Sequence, residues 1–260
     1  ARLLEMASFR DQGLVLRHYN LGEADRIIVL FTRAHGLLRC VAKGVRRTRS
    51  RFGARLEPFT LIDVQIYPGR NLNTITEAVT VETFNVRIVA DYERYTAAAS
   101  VLEAVERLLG EEEQPNPQLF DLTVGVMGAL SYGRRSPQQM VDTYLLRAMA
   151  EAGWAPELDK CAVCGAEGPH QAFHPAAGGV VCVKHRPPGS ATPMAGVLEY
   201  LRSLRDARWD RADSIAGDKK LGRRVQEEAH QLIVSHLQWH TERKITAFDL
   251  AAEAERGHWR

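Results

Sequence analysis

The stretch Thr60-Leu61-Ile62-Asp63-Val64-Gln65-Ile66-Tyr67 runs into Pro68-Gly69-Arg70-Asn71. Ile62, Val64 and Ile66 alternate with Asp63, Gln65 and Tyr67. Successive side chains of a strand point to opposite faces, so this period of two predicts a half-buried strand. Proline and glycine then impose a turn, and residues 73–79 can return as a neighbouring strand. Upstream, residues 13–19, 25–32 and 37–43 form three more short runs, broken by Asn20-Leu21-Gly22 and by Arg33-Ala34-His35-Gly36. Five short strands in so small a span suit a closed barrel, which removes the exposed edges that a short open sheet would present.

From about Thr83 the period changes. Ala98, Val101, Leu102, Val105, Leu108 and Leu109 share one face of a helix predicted over 92–109. Glu111-Glu112-Glu113-Gln114-Pro115-Asn116-Pro117 reads as a polar linker. Further helices are predicted over 118–132, 137–152, 192–208 and 219–243, with Ser136 as N-cap and Pro137 at the first helical position of the second. The expected organisation is an α+β multidomain chain: a barrel over 1–82, a helical bundle from 83–157 and 189–260, and an insertion at 158–188.

The chain has 260 residues, 45% hydrophobic and 25% charged, an ordinary globular composition that excludes wholesale disorder. Its longest apolar run, Ile27-Ile28-Val29-Leu30-Phe31, is far short of the ~18 residues of a membrane span, so no membrane role is expected. No basic segment followed by an apolar stretch opens the sequence, which makes the cytoplasm the expected compartment. The net charge of +2 conceals a gradient. Residues 1–90 hold 14 Lys/Arg against 8 Asp/Glu, and residues 91–160 hold 6 against 12.

Nine of those cations (Arg26, Arg33, Arg39, Lys43, Arg46, Arg47, Arg49, Arg51 and Arg55) fall between Arg26 and Leu56 with no Asp or Glu among them. Crowded guanidinium groups repel one another unless a polyanion lies nearby, and arginine's planar fork matches phosphate oxygens in two-point contact. These nine are therefore candidate nucleic-acid contacts; the core of the run, from Lys43 to Arg55, reads as an exposed, flexible loop between two strands that grips backbone without reading base edges. Phe52 in the same segment has two readings: a platform on which a base stacks, or an apolar anchor holding the loop to the barrel.

Cys161-Ala162-Val163-Cys164-Gly165 is followed by Cys182-Val183-Lys184-His185. Two ligands separated by two residues bend around one ion, and two such turns complete a tetrahedral site. Three thiolates and an imidazole suit one structural zinc ion, held by Cys161, Cys164, Cys182 and His185, with His170 and His174 as rival fourth ligands. The remaining cysteine, Cys40, lies in a predicted strand and reads as a small buried apolar residue.

Enzymatic signatures are missing. There is no glycine-rich loop ending in Gly-Lys-Ser/Thr, no Gly-x-Ser-x-Gly turn, and no His-x-Glu ahead of the cysteines. His236 and His240 stand four apart on a predicted helix, but Leu237 occupies the place of a metalloprotease's glutamate, so both read as packing and surface residues. A binding protein is favoured over an enzyme. Two alternatives stay open: a zinc-dependent hydrolase acting on nucleic acid, with Glu167, His170 or His174 near the metal, and an RNA-binding barrel protein.

Several motifs resemble the N-terminal domain of the RecO family of bacterial recombination mediators. They are Gly22-Glu23-Ala24-Asp25-Arg26-Ile27-Ile28, Phe31-Thr32-Arg33, His35-Gly36-Leu37, Ala42-Lys43-Gly44-Val45-Arg46-Arg47, Ser50-Arg51 and Leu56-Glu57-Pro58-Phe59. The cysteine segment, with Gly178-Gly179-Val180-Val181-Cys182, is similar to the zinc-bearing insertion of many members. The resemblance implies an oligonucleotide/oligosaccharide-binding (OB) barrel, a helical bundle and a zinc-ribbon-like insertion. It also implies binding of single- and double-stranded DNA, annealing of complementary strands, and action with RecR to load RecA onto DNA coated by single-strand binding protein. The location would be the bacterial cytoplasm, at the nucleoid. The family's basic loop falls on Lys43, Gly44, Val45, Arg46 and Arg47, to which the resemblance carries DNA contact.

Overall fold

The computed structural model describes residues 7–110, 114–133 and 135–241. The expectations for Glu111-Glu112-Glu113, for the first six residues and for the end of the last helix beyond 241 lie outside the described residues. The chain divides into two compact units, 1–134 and 135–260.

The first unit contains the barrel: β1 (Phe9–Leu21), β2 (Asp25–Thr32), β3 (Gly36–Ala42), β4 (Thr60–Tyr67) and β5 (Asn73–Thr83). The strands close in the order β1-β2-β3-β5-β4, the five-stranded OB-type barrel expected. β1 serves two partners. Its Phe9–Leu14 portion pairs with β4, and from Gly13 onward it pairs with β2, with a register shift between Val15 and Arg17. Such an irregularity bends and twists the strand, which lets it pass from one neighbour to the other. β3 and β5 meet in parallel at Cys40↔Asn73 and Val41↔Thr74. Inside, Val15, Ile28, Leu30, Leu38, Cys40, Ile62, Val64, Ile66 and Ile75 form the buried core, with Cys40 behaving as an apolar filler.

Three helices complete this unit: α1 (Asn85–Val89), α2 (Tyr92–Leu109) and α3 (Pro117–Tyr132). Asp91 caps α2 by accepting from the Arg94 N–H, and Asn116 caps α3 by accepting from the Leu119 N–H. Phe120 of α3 meets Phe31 edge to face at 5.3 Å, tying that helix to the outside of β2.

The second unit holds α4 (Pro137–Glu151), the short strands β6 (Ala172–His174) and β7 (Gly179–Val181), α5 (Val197–Arg205), α6 (Trp209–Ala216) and α7 (Gly222–Thr241). Ser136 caps α4 with Pro137 in its first turn, as the sequence predicts. The helix expected over 192–208 begins later, at Val197, after the left-handed Gly196. α6 is absent from the sequence reading; it is only eight residues long and fully buries only Ala212. His236 is a packing residue: its Nε2 lies 2.9 Å from the Trp154 carbonyl oxygen and its ring meets Phe173 edge to face. Burial pushes its pKa down to about 4, with His240 adding to the depression against the Trp154 hydrogen bond.

Candidate nucleic-acid interface and metal centre

The segment from Lys43 to Phe59 joins β3 to β4 across one end of the barrel. Gly44, at φ 68°, starts it in a left-handed turn, and the Gly44 N–H donates to Asp25 Oδ1 at 2.7 Å. The Arg46 N–H donates to the Ala24 carbonyl at 3.0 Å, and its guanidinium donates to the Gly22 carbonyl at 3.0 Å. Val45, Phe52 and Leu56 point inward and join the barrel core. A short 3-10 turn, Gly53–Leu56, sets the spacing of the last two. Where a flexible loop was expected, the backbone is pinned, because three apolar residues spaced along it are removed from water. Val45 and Leu56 are the residues that sequence reasoning missed. Each is a lone apolar position among charges and shows no period.

Phe52 is 1% exposed. Of its two readings the anchor is the one the structure has, and a base cannot stack on it. The Arg51 guanidinium lies over its ring at 4.8 Å. Two of the nine cations are also committed elsewhere. Arg26 donates to Glu57 Oε1 at 2.9 Å, and Arg33 donates to Asp121 Oδ2 at 2.8 Å. Burial pushes the Glu57 carboxyl up, but hydrogen bonds from His18 and Arg26 outweigh it and hold the group below its ordinary pKa. Both pairs bring in carboxylates from outside the 26–56 run. The other seven, Arg39, Lys43, Arg46, Arg47, Arg49, Arg51 and Arg55, are exposed and form no ion pair among the described residues. Six of them stand on the pinned segment, and Arg39 stands on the outer face of β3.

The cysteines form the second candidate site. Ligand atoms of Cys161, Cys164, Cys182 and His185 all lie within 4.8 Å of one another. Ligands of a tetrahedral zinc at the usual ~2.3 Å Zn–S length sit about 3.8 Å apart, so the donor set fits one such ion. The local backbone explains the cluster. Gly165, left-handed at φ 69°, donates its N–H to the Cys161 carbonyl at 2.8 Å and closes the first turn. The His185 N–H donates to the Cys182 carbonyl at 3.1 Å and closes the second, leaving Cys182 Sγ 3.3 Å from His185 Nδ1. The Cys182 N–H donates to Cys161 Sγ, which lowers that thiol's pKa to about 6 and favours the thiolate a metal needs. The rival ligands are elsewhere: His170 Nε2 is 2.8 Å from the Ala166 carbonyl, and His174 is not part of the cluster. Glu167 is paired with Lys160 at 2.8 Å.

The insertion is seated on α5. Arg202 donates to the Leu158 carbonyl at 2.6 Å, and Arg202 and Arg205 both pair with Asp159. β7 in turn lies against the chain at Glu157, where the Val180 N–H donates to the Glu157 carbonyl at 2.8 Å. Only glycine fits at 179, since a Cβ there would strike the Glu157 carbonyl oxygen.

A closed OB-type barrel with a cationic loop, followed by helices and a Cys3His cluster able to hold a metal ion, defines an OB-barrel protein with a ribbon-like insertion. Comparison with known families carries this further. Residues 6–84 match the family model described as Recombination protein O N terminal, and residues 89–247 match Recombination protein O C terminal. The chain belongs to the RecO family of recombination mediators in DNA repair. Among the described residues, no helix is long and apolar enough to cross a membrane.

Proposed function

We propose that this chain is a non-catalytic recombinational repair mediator. It binds single- and double-stranded DNA through the pinned basic loop and anneals complementary strands. With RecR, it promotes RecA loading on single strands coated by single-strand binding protein, in the bacterial cytoplasm at the nucleoid. The observation that carries this is the set of seven unpaired cations on and beside a loop whose backbone is fixed by Val45, Phe52 and Leu56. Preplaced guanidinium groups lose little freedom on meeting phosphates, and they release the counterions condensed on the strand. The same cationic surface screens the repulsion between two strands, while base pairing supplies the specificity.

Cys161, Cys164, Cys182 and His185 would hold one zinc ion, which cross-links the insertion and neutralises its thiolates. Four protein donors fill a tetrahedral shell, the arrangement of a structural site, and a catalytic one keeps a position for water. That arrangement, with Glu167 held by Lys160, disfavours the hydrolase alternative.

The test is annealing of complementary strands coated by single-strand binding protein, with and without RecR. The variant Arg46→Glu/Arg47→Glu/Arg49→Glu keeps the fold, because all three side chains are exposed, and is expected to lose annealing. Annealing at the wild-type rate would refute the loop's role.

A further inference from the structure

We propose that an open groove beside the basic loop is a seat for one phosphate group, taken in function by a phosphodiester of a single DNA strand. This rests on the reading of the barrel as the DNA-binding part and assigns the place where a strand is held most closely. The groove has a volume of ≈ 540 Å³, and its lining includes Arg51, Arg55, Thr60, Thr80, Thr83 and Asn85.

Strand register explains how three threonines come together. Thr60 lies opposite Thr83 and Leu61 opposite Glu82, but Ile62 lies opposite Thr80, with the irregularity between Leu61 and Ile62. Val81 is the extra residue of a β-bulge. In a regular strand Thr80 and Thr83, three positions apart, would point to opposite faces. The bulge cancels that alternation and puts both on the face shared by Thr60 and Ile62. Glu82 goes to the other face, where it accepts from the Tyr132 hydroxyl at 2.8 Å. Bulges of this kind re-aim side chains beside binding sites.

Thr60 supplies the independent sign that something binds. It is 1% exposed, and its Oγ1 makes no hydrogen bond among the described residues. A buried hydroxyl without a partner is destabilising, and such groups are rare in native proteins. The cations of the groove are preplaced: Arg51 rests over the Phe52 ring, and Arg55 donates to the Arg51 carbonyl at 2.6 Å. The lining carboxylate, Glu57, is taken up by His18 and Arg26. Guanidinium groups and hydroxyls around a concave floor suit tetrahedral anionic oxygens. The aromatic ring of the lining is buried beneath Arg51, so the groove has no stacking platform and selects backbone over base.

Free phosphate shares this chemistry, and the test separates the two sources. Retention of a single-stranded oligothymidylate is measured for the full chain at constant ionic strength, with inorganic phosphate or chloride as competitor. Thr60→Val keeps the side-chain shape, so its melting temperature should equal or exceed that of wild type. Its strand affinity should fall about tenfold, the value of a hydrogen bond to a charged group. Phosphate should displace the strand from wild type better than chloride does, and lose that advantage on Thr60→Val. Should Thr60→Val not fold, the exposed Thr83→Val carries the same expectation. Wild-type strand affinity in the threonine variant, with phosphate competition also unchanged, overturns the seat. So does equal competition by phosphate and chloride on wild type. Loss of phosphate competition with unchanged strand affinity overturns the phosphodiester assignment in favour of a free anion. If Arg46→Glu/Arg47→Glu/Arg49→Glu abolishes retention while Thr60→Val leaves it intact, the seat falls and the loop reading stands. If neither variant changes retention, both fall.

Discussion

The basic loop and the cysteine insertion are both irregular segments held in one shape, and they are held by different physics. The loop sends Val45, Phe52 and Leu56 into a barrel core that also contains residues from all five strands. The insertion's own small cluster is Cys161, Ala172 and Val181, with Ala177 and Cys182 against it, while its Leu158, Phe173 and Val180 are also buried. A metal ion on the donor cluster would add a cross-link to that small core. A loop fixed by apolar anchors keeps its shape without a ligand and leaves its charges free for a partner. An insertion whose donors took up an ion would depend on that ion.

The largest expected effect breaks the insertion and spares the loop. Structural zinc sites contribute apparent binding energies of roughly 10–16 kcal/mol that are inseparable from local folding. Cys161→Ser should release the metal and open residues 158–188 to protease, while strand retention by the barrel stays unchanged. Wild-type protein free of zinc, or a variant that retains it, would contradict this.

Next in size is the converse change. Phe52→Ala removes the largest anchor of the loop and should cost about 3–5 kcal/mol in barrel stability, as other buried phenylalanine truncations do. It should also weaken strand retention by loosening the cations around it, with metal content untouched. An unchanged melting transition would show that the loop is not held as described.

Acid sharpens the contrast from the other side. His236 is buried neutral, with a folded pKa of about 4 against an ordinary 6.5. The unfolded chain binds a proton below 6.5 that the folded unit refuses, so stability falls as pH drops from 6.5 to about 4. The loss should reach roughly 3 kcal/mol, at 1.36 kcal/mol per unit. The three tryptophans among the described residues (Trp154, Trp209 and Trp239) lie in the second unit, and residues 1–134 contain none, so tryptophan fluorescence does not report on the first unit. The His236→Phe variant, melted with zinc in excess, should show a shallower pH dependence than wild type. An identical slope would assign the acid sensitivity elsewhere.

The parts of this molecule legible in its sequence are those whose cause is local. Alternation at Ile62, Val64 and Ile66 marked β4, and Ser136-Pro137 marked the start of α4. The spacing of Cys161, Cys164, Cys182 and His185 marked the donor cluster, because two tight turns fix four ligands. What escaped depends on distant pairing. Arg26 and Arg33 are neutralised by Glu57 and Asp121, which are 31 and 88 positions away. Val45 and Leu56 gave no period to read, and the alignment of Thr60, Thr80 and Thr83 arises from a bulge that only the strand register reveals. Charge crowding was visible along the chain, but which cations stay unpaired was decided by the fold.

The most direct measurement is the salt dependence of single-strand retention. Four phosphate contacts give a slope of about −3 in log affinity against log salt, at ~0.7 per contact. Wild type should fall near that value. Arg46→Glu/Arg47→Glu/Arg49→Glu, folded as wild type, should flatten the slope by about 2, at the same ~0.7 per contact. An unchanged slope in that variant would mean that DNA is held by some other surface, and the unpaired cations of the pinned loop would have no polyanion to answer to.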